Sequence, residues 1–233
     1  MCILNTSYKK GDKMNIAIFD FDGTLYKKET FPLLMKHLKY HPIYKKRYRS
    51  FFAAVLLPYL AYKCKLYKEE KMKYNMMQSY VHAFKGLTIE EVNHFFKTLA
   101  EKMIPDINTT VKGRLEQHAK DGMEIYIVSG AFTPLIEYVT KDLPVSHIIA
   151  TNIPFKNGVY HSTEPITHVQ GITKCQLIKK ALKSKQVQWS DSISYADSYS
   201  DIPILELVGK PICVHPDDAL QIVAKQKGWE ILD

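Results

Sequence analysis

Ile16-Ala17-Ile18-Phe19-Asp20-Phe21-Asp22-Gly23-Thr24 is the stretch on which the reading of this 233-residue chain turns. Four apolar residues in a row, β-branched and aromatic types among them, read as a short strand buried on both faces. Two carboxylates follow at its exit, where an open α/β sheet holds its ligands. Gly23 permits a tight turn and a close approach of backbone to a bound group. Such a site can keep a hard cation beside a carboxylate nucleophile, a pairing suited to phosphoryl transfer.

Outward from this strand, residues 15–20, 124–129, 192–197 and 211–214 read as buried strands, with 147–151 a weaker fifth. Helical patterns fall between them at 109–120, 133–141, 173–184, 202–208 and 217–227. The alternation predicts an α/β fold, a Rossmann-like parallel sheet with helices on both faces. One interval breaks the rhythm. From Asp20 to Glu124 is roughly a hundred residues, whereas a βαβ unit needs only ~30. The excess, residues 30–105, is helical by pattern, so the expected division is an α/β core (1–29 and 106–233) and an inserted all-helical cap (30–105). An insertion rooted beside a site often acts as a lid.

The remaining composition bounds the chemistry. The net charge is +8, which fits an anionic partner or a solvated basic surface. Cys2, Cys64, Cys175 and Cys213 stand far apart with no CxxC pair, which argues against a zinc site or a disulfide scaffold and fits a reducing cytoplasm. The apolar run Phe51 to Tyr62 is interrupted by Pro58 and falls short of the ~20 residues that span a bilayer. Lys45-Lys46-Arg47-Tyr48-Arg49 reads most simply as a solvated helix face, with weak contact to an anionic membrane surface as the alternative. Tyr44, Tyr48, Phe51, Phe52, Tyr59, Tyr62, Met72, Met76 and Met77 read first as packing inside the cap, and otherwise as an apolar pocket for a lipid-like or aromatic leaving group. The first thirteen residues lack the apolar core of a secretory signal and are expected to be disordered. Lys10-Gly11-Asp12-Lys13 reads as a translated ribosome-binding region, with Met14 as the expected start.

Each later strand ends in residues useful to phosphate chemistry. Residues 125–128 run into Ser129-Gly130-Ala131, a hydroxyl and backbone N–H groups that could bind phosphate oxygens, or simply a turn. Residues 192–196 run into Asp197, with Asp201 four residues on; helix capping is the plain alternative for either. Three carboxylates at one edge repel unless a cation neutralises them, and Mg²⁺ suits oxygen ligands. Lys174 lies in the first turn of a helix, where its charge opposes the dipole. Beside a phosphorylated carboxylate that charge would be useful.

Asp-x-Asp-Gly-Thr, Ser-Gly, Lys and Asp-x3-Asp, in this order, resemble the haloacid dehalogenase-like hydrolase superfamily. With the helical insertion straight after the first motif, the likeness is to its phosphoserine phosphatase-like branch. The resemblance implies a Mg²⁺-dependent phosphatase acting on a small phosphorylated metabolite. No nucleic-acid partner is expected, since only the net charge favours one and the sequence has no recognition motif. It implies Asp20 as nucleophile, forming an aspartyl-phosphate, and Asp22 as general acid and then base. Mg²⁺ would be held by Asp20, the Asp22 main-chain carbonyl and Asp197, with Asp201 orienting its waters. Ser129, Gly130 and Lys174 would stabilise the transferred oxygens, and Thr24 and Glu29 would join the substrate and phosphate contacts.

A phosphotransferase using the same intermediate, or a non-catalytic membrane-surface module on the same fold, are the competing expectations. The chain departs from the phosphoserine phosphatase pattern in two places. The branch's cap arginine has no counterpart among Arg47, Arg49 and Arg114, since Lys73 and Asn75 occupy that region and lysine lacks bidentate carboxylate recognition. Ser200 stands where an asparagine usually sits.

Overall fold

A computed structural model describes residues 13–161 and 163–233. The expectations for Cys2 and for the segment ahead of Lys13 lie outside the described residues.

The quoted stretch forms β1 (Ile16–Phe19), every residue of which is fully buried. Four helices follow it: α1 (Thr30–Tyr40), α2 (Lys45–Lys63), α3 (Glu69–His82) and α4 (Ile89–Met103). The chain then enters α5 (Thr109–Lys120), β2 (Glu124–Phe132), α6 (Thr133–Val139) and β3 (His147–Thr151). A two-residue hairpin, β4 (Phe155–Lys156) and β5 (Val159–Tyr160), leads to α7 (Ile172–Ala181) and β6 (Ile193–Ala196). The last elements are α8 (Ile202–Leu205), β7 (Lys210–Val214), α9 (Asp218–Lys227) and β8 (Glu230–Leu232).

The six-stranded sheet has the order β3-β2-β1-β6-β7-β8, and every pair in it is parallel. The chain winds outward from β1 through β2 and β3 on one side, and from β6 through β7 and β8 on the other. The order therefore reverses between β1 and β6, and a crevice opens at the carboxyl ends of those two strands. Asp20 and Asp197 are the residues that follow these ends. The Asp20 N–H donates to the Tyr195 carbonyl at 2.9 Å, which locks the two strand ends together.

The inserted helices are held by aromatic packing. Tyr80 and Phe96 pack on Phe132 of β2 with ring centroids 5.9 and 5.6 Å away, and the Tyr80 hydroxyl donates to the Leu34 carbonyl. A capping box between Thr88 and Glu91 starts α4, satisfying two backbone N–H groups that a helix leaves unpaired. The helix then packs along α6. α2 carries straight through Pro58. Pro58 has no N–H to donate to the carbonyl of Ala54, one turn back, and Ala54 is exposed.

Three elements depart from the sequence reading. β2 continues through Ser129-Gly130-Ala131 to Phe132 with an irregularity in its pairing to β3, so the Ser-Gly segment is bulged strand rather than a turn. β8 and the β4–β5 hairpin were not expected. The hairpin docks on the insertion, with the Ile89 N–H donating to the Gly158 carbonyl and the Tyr160 N–H to that of Leu87.

Candidate active site

Two backbone devices build the site. After β1 the chain turns sharply, with the Leu25 and Tyr26 N–H groups returning to the carbonyls of Asp20 and Phe21. Gly23 takes φ +71° in this turn, and a Cβ there would overlap the Asp197 carboxylate. Glycine is thus required twice, for its backbone angle and for the space it leaves. After β6, Asp217 braces the loop that carries Asp197 and Asp201. Its backbone N–H donates to the Asp197 carbonyl at 2.9 Å, and its carboxylate accepts from the Tyr199 N–H at 2.8 Å while capping α9 through the Leu220 N–H. Nothing in the local sequence marks Asp217 as more than a helix cap.

The carboxylates of Asp20, Asp197 and Asp201 converge, each offering an oxygen within 4.8 Å of the others. Lys174, buried in the first turn of α7, donates to Asp20 Oδ1 at 2.8 Å and to Asp201 Oδ1 at 2.7 Å. Thr24 is fully buried, and its hydroxyl donates to Asp197 at 3.1 Å. It does not reach the cavity wall, so the structure puts it behind Asp197 rather than on a substrate.

Asp22 points elsewhere. One of its oxygens accepts from the Thr30 hydroxyl at 2.8 Å, and the other is buried without a partner. Its side chain is therefore not part of the carboxylate cluster. Ser129 is buried, and its Oγ accepts from the Ala131 N–H at 3.1 Å, which holds the bulged strand in shape. Glu29, Ser129 and Gly130 all border the same cavity as the cluster.

That cavity, about 290 Å³, lies between the sheet edge and the inserted helices. Its far wall is Phe31, Met72, Lys73, Met76 and Met77, with His168 and Gln170 at the side. Met72 and Met77 are buried, as are Tyr44 and Phe51, whereas Phe52 and Tyr59 are exposed. The aromatic and methionine series therefore divides among packing, pocket wall and surface. Arg47 is spent on structure, donating to the carbonyls of Ala83 and Lys85, and Arg114 pairs with Glu230. A larger hollow of about 950 Å³ beside Arg114 and Trp229 shares no residue with the cluster.

The electrostatics follow from burial. The Asp20 carboxyl is pushed well up by desolvation, against the pull of Lys174 and with the push of Asp201 and Asp197. Asp197 rises to about 6, chiefly by burial and then by Asp201. Asp22 rises to about 7, by burial and then by the Glu29 carboxylate. The two ion pairs outweigh burial at Lys174 and hold its ammonium above its ordinary value. Burial, with Lys73 and Lys174 nearby, drives His168 down to about 4, so its imidazole is neutral at neutral pH. One ammonium among three carboxylates leaves a deficit of positive charge. An all-oxygen donor set with that deficit fits a hard divalent cation.

The family description "haloacid dehalogenase-like hydrolase" matches residues 17–206. The chain belongs to this family. Among haloacid dehalogenase-like relatives, the Streptomyces azureus "inhibition of morphological differentiation protein" is 30% identical over 159 residues, 67% of this chain and 57% of that one. The "histidinol-phosphatase" of Neisseria meningitidis is 27% identical over 150 residues, 62% of this chain and 67% of that one. The chain thus spans roughly half to two thirds of these curated relatives. A substrate-bound phosphoserine phosphatase structure superposes with a TM-score of 0.62 at 17% identity, covering 95% of this chain and 94% of that one. The haloacid dehalogenase-like fold, with four helices inserted after its first strand, is therefore that of this chain, and the phosphoserine phosphatase shares that fold. No helix among the described residues is long and apolar enough to cross a membrane.

Proposed function

We propose that this protein is a Mg²⁺-dependent phosphatase that hydrolyses a small organic phosphomonoester through a phosphorylated Asp20. The observation that carries this reading is that two aspartates two residues apart have different surroundings at one cavity. The Asp20 carboxylate lies in a cation-seeking cluster and pairs with Lys174, whereas the Asp22 side chain lies outside that cluster, bonded to Thr30 and raised to about 7 chiefly by burial. A cation in the cluster would keep Asp20 ionised as the nucleophile, while Asp22 can carry the proton a leaving group needs.

In the first step an Asp20 carboxylate oxygen attacks phosphorus, and the bond from phosphorus to the leaving oxygen breaks. Asp22 gives its proton to that leaving alkoxide. In the second step Asp22, now a carboxylate, takes a proton from water, whose oxygen attacks the phosphorus of the aspartyl-phosphate. Asp20 is released as carboxylate with inorganic phosphate. Lys174, Ser129 and the Gly130 backbone offset the negative charge on the transferred oxygens. Asp20, Asp197 and Asp201, with the Asp22 main-chain carbonyl, would hold Mg²⁺, which when bound supplies positive charge to those oxygens.

We assign residues 30–105 as the cap over this cavity. Phe31, Met72 and Met76 suit an apolar part of the leaving group, and Lys73 and Glu29 suit its polar end. A small organic phosphate agrees with a histidinol-phosphatase among the relatives and a phosphoserine phosphatase among the structural neighbours.

The test is phosphate release across a panel of phosphomonoesters, with Mg²⁺ and with chelator, beside Asp20→Asn. Mg²⁺-dependent release by the wild type and none by Asp20→Asn is the expected result. Release from no substrate, or an Asp20→Asn variant at full rate, overturns the proposal.

A further inference from the structure

The chain's charge is concentrated in one place. Residues 30–68 hold nine of the 32 Lys and Arg and none of the 24 Asp and Glu, so the rest carries 23 basic against 24 acidic residues. The whole positive excess therefore lies on α1, α2 and the turns that flank them. Eight of the nine basic side chains are exposed; only Arg47 is drawn inward.

The same region exposes apolar surface. On α2, Phe52, Leu56, Leu57, Tyr59 and Leu60 are 39–74% exposed. At 100° per residue these five fall within a sector of about 160° of the helix surface. Lys45, Lys46 and Arg49 share that sector at its N-terminal end and Lys63 at its C-terminal end. Phe51 and Val55, on the opposite side, are the residues of α2 buried against the protein. The apolar middle covers only about two turns, far too short to cross a bilayer and suited to lying in its interface.

We infer that this face of α2 docks the protein on the surface of an anionic lipid bilayer. The apolar middle enters the headgroup boundary, and Lys45, Lys46 and Arg49 at one end and Lys63 at the other meet lipid phosphates. A second copy of the chain fits poorly, because a two-fold interface would set one acid-free basic segment against another. α2 packs on α3, whose Met72 and Met76 wall the carboxylate cavity, so docking brings that wall toward the lipid surface. The inference rests on surface chemistry and stands independently of the proposed reaction.

Cosedimentation of the full chain with phosphatidylcholine vesicles, with and without phosphatidylglycerol, tests it at low and physiological salt. Binding to the anionic vesicles alone, weakening with salt, is expected. Each basic residue near an anionic leaflet contributes roughly fivefold in partitioning, so Lys45→Gln with Lys46→Gln and Arg49→Gln lowers it by about a hundredfold. Leu57→Glu with Leu60→Glu abolishes it while circular dichroism and melting stay unchanged, since both positions are exposed. The inference fails if no protein pellets with anionic vesicles at low salt, or if both variants pellet like wild type. It also fails if light scattering finds a dimer that Leu57→Glu with Leu60→Glu separates and neither form binds vesicles; the face then belongs to a second copy.

Discussion

Asp22 keeps its proton because burial and the neighbouring Glu29 carboxylate both oppose its charge, and the Thr30 hydroxyl only partly offsets them. In the proposed reaction the protonated form is the one that works in the first step. Turnover of an alkyl phosphate is therefore expected to fall as pH rises through about 7, where Asp22 ionises. Asp22→Asn should lower that turnover by about 10²–10⁴-fold and flatten the decline. A p-nitrophenyl ester, whose phenolate leaves without a proton, should keep its first step in Asp22→Asn while hydrolysis of the aspartyl-phosphate slows; a pre-steady-state burst of nitrophenolate, absent with the alkyl phosphate, checks this. Gly23 makes a second prediction. Alanine there costs about 1–2 kcal/mol for the left-handed backbone alone, and its methyl displaces the Asp197 carboxylate. Gly23→Ala is expected to lose both phosphate release and Mg²⁺ binding, measured by titration calorimetry.

At the level of elements, α1 carries a titratable weak point. His37 sits against Phe95, its ring nitrogen within 3.2 Å of the Phe95 carbonyl, and burial pushes it down to about 4, with Lys102 and His41 adding to the effect. The unfolded chain takes up this proton near 6.5 and the folded chain only near 4. Stability from His37 is therefore whole above about 6.5 and is lost as pH falls toward 4. Urea unfolding at stepped pH should show that slope, and His37→Gln should reduce it. Element boundaries in the α/β core were largely legible in the sequence, because buried parallel strands are short apolar runs and their helices carry a 3.6-residue period. β8 escaped because Glu230-Ile231-Leu232 is three residues long and owes its pairing to β7 alone. The β4–β5 hairpin had a readable signal in Asn157-Gly158, both at positive φ, the pair that two-residue hairpin turns favour. Its two-residue strands show no alternation that would have drawn attention to it.

For the molecule as a whole, a cation that binds only the folded cluster must stabilise the fold. At a hundredfold excess over its dissociation constant the gain is about 2.7 kcal/mol, which for a chain of this size is roughly 5–10 °C in Tm. Mg²⁺ is expected to raise Tm by this amount, chelator to reverse it, and Asp197→Asn to abolish it in a thermal-shift assay. The amino-acid sequence by itself determined the strand–helix order, the helical insertion and the residues of the acidic motifs, because those depend on local apolar periodicity and on spacing along the chain. Only the tertiary structure decided that Asp22 turns away to Thr30 and that Thr24 stands behind Asp197. The same holds for Asp217 bracing the second acidic loop and for the methionines dividing between core and cavity. Each of these depends on which side chain occupies the space opposite, from eight residues away for Thr30 to well over a hundred for Asp197, and local periodicity carries no record of that.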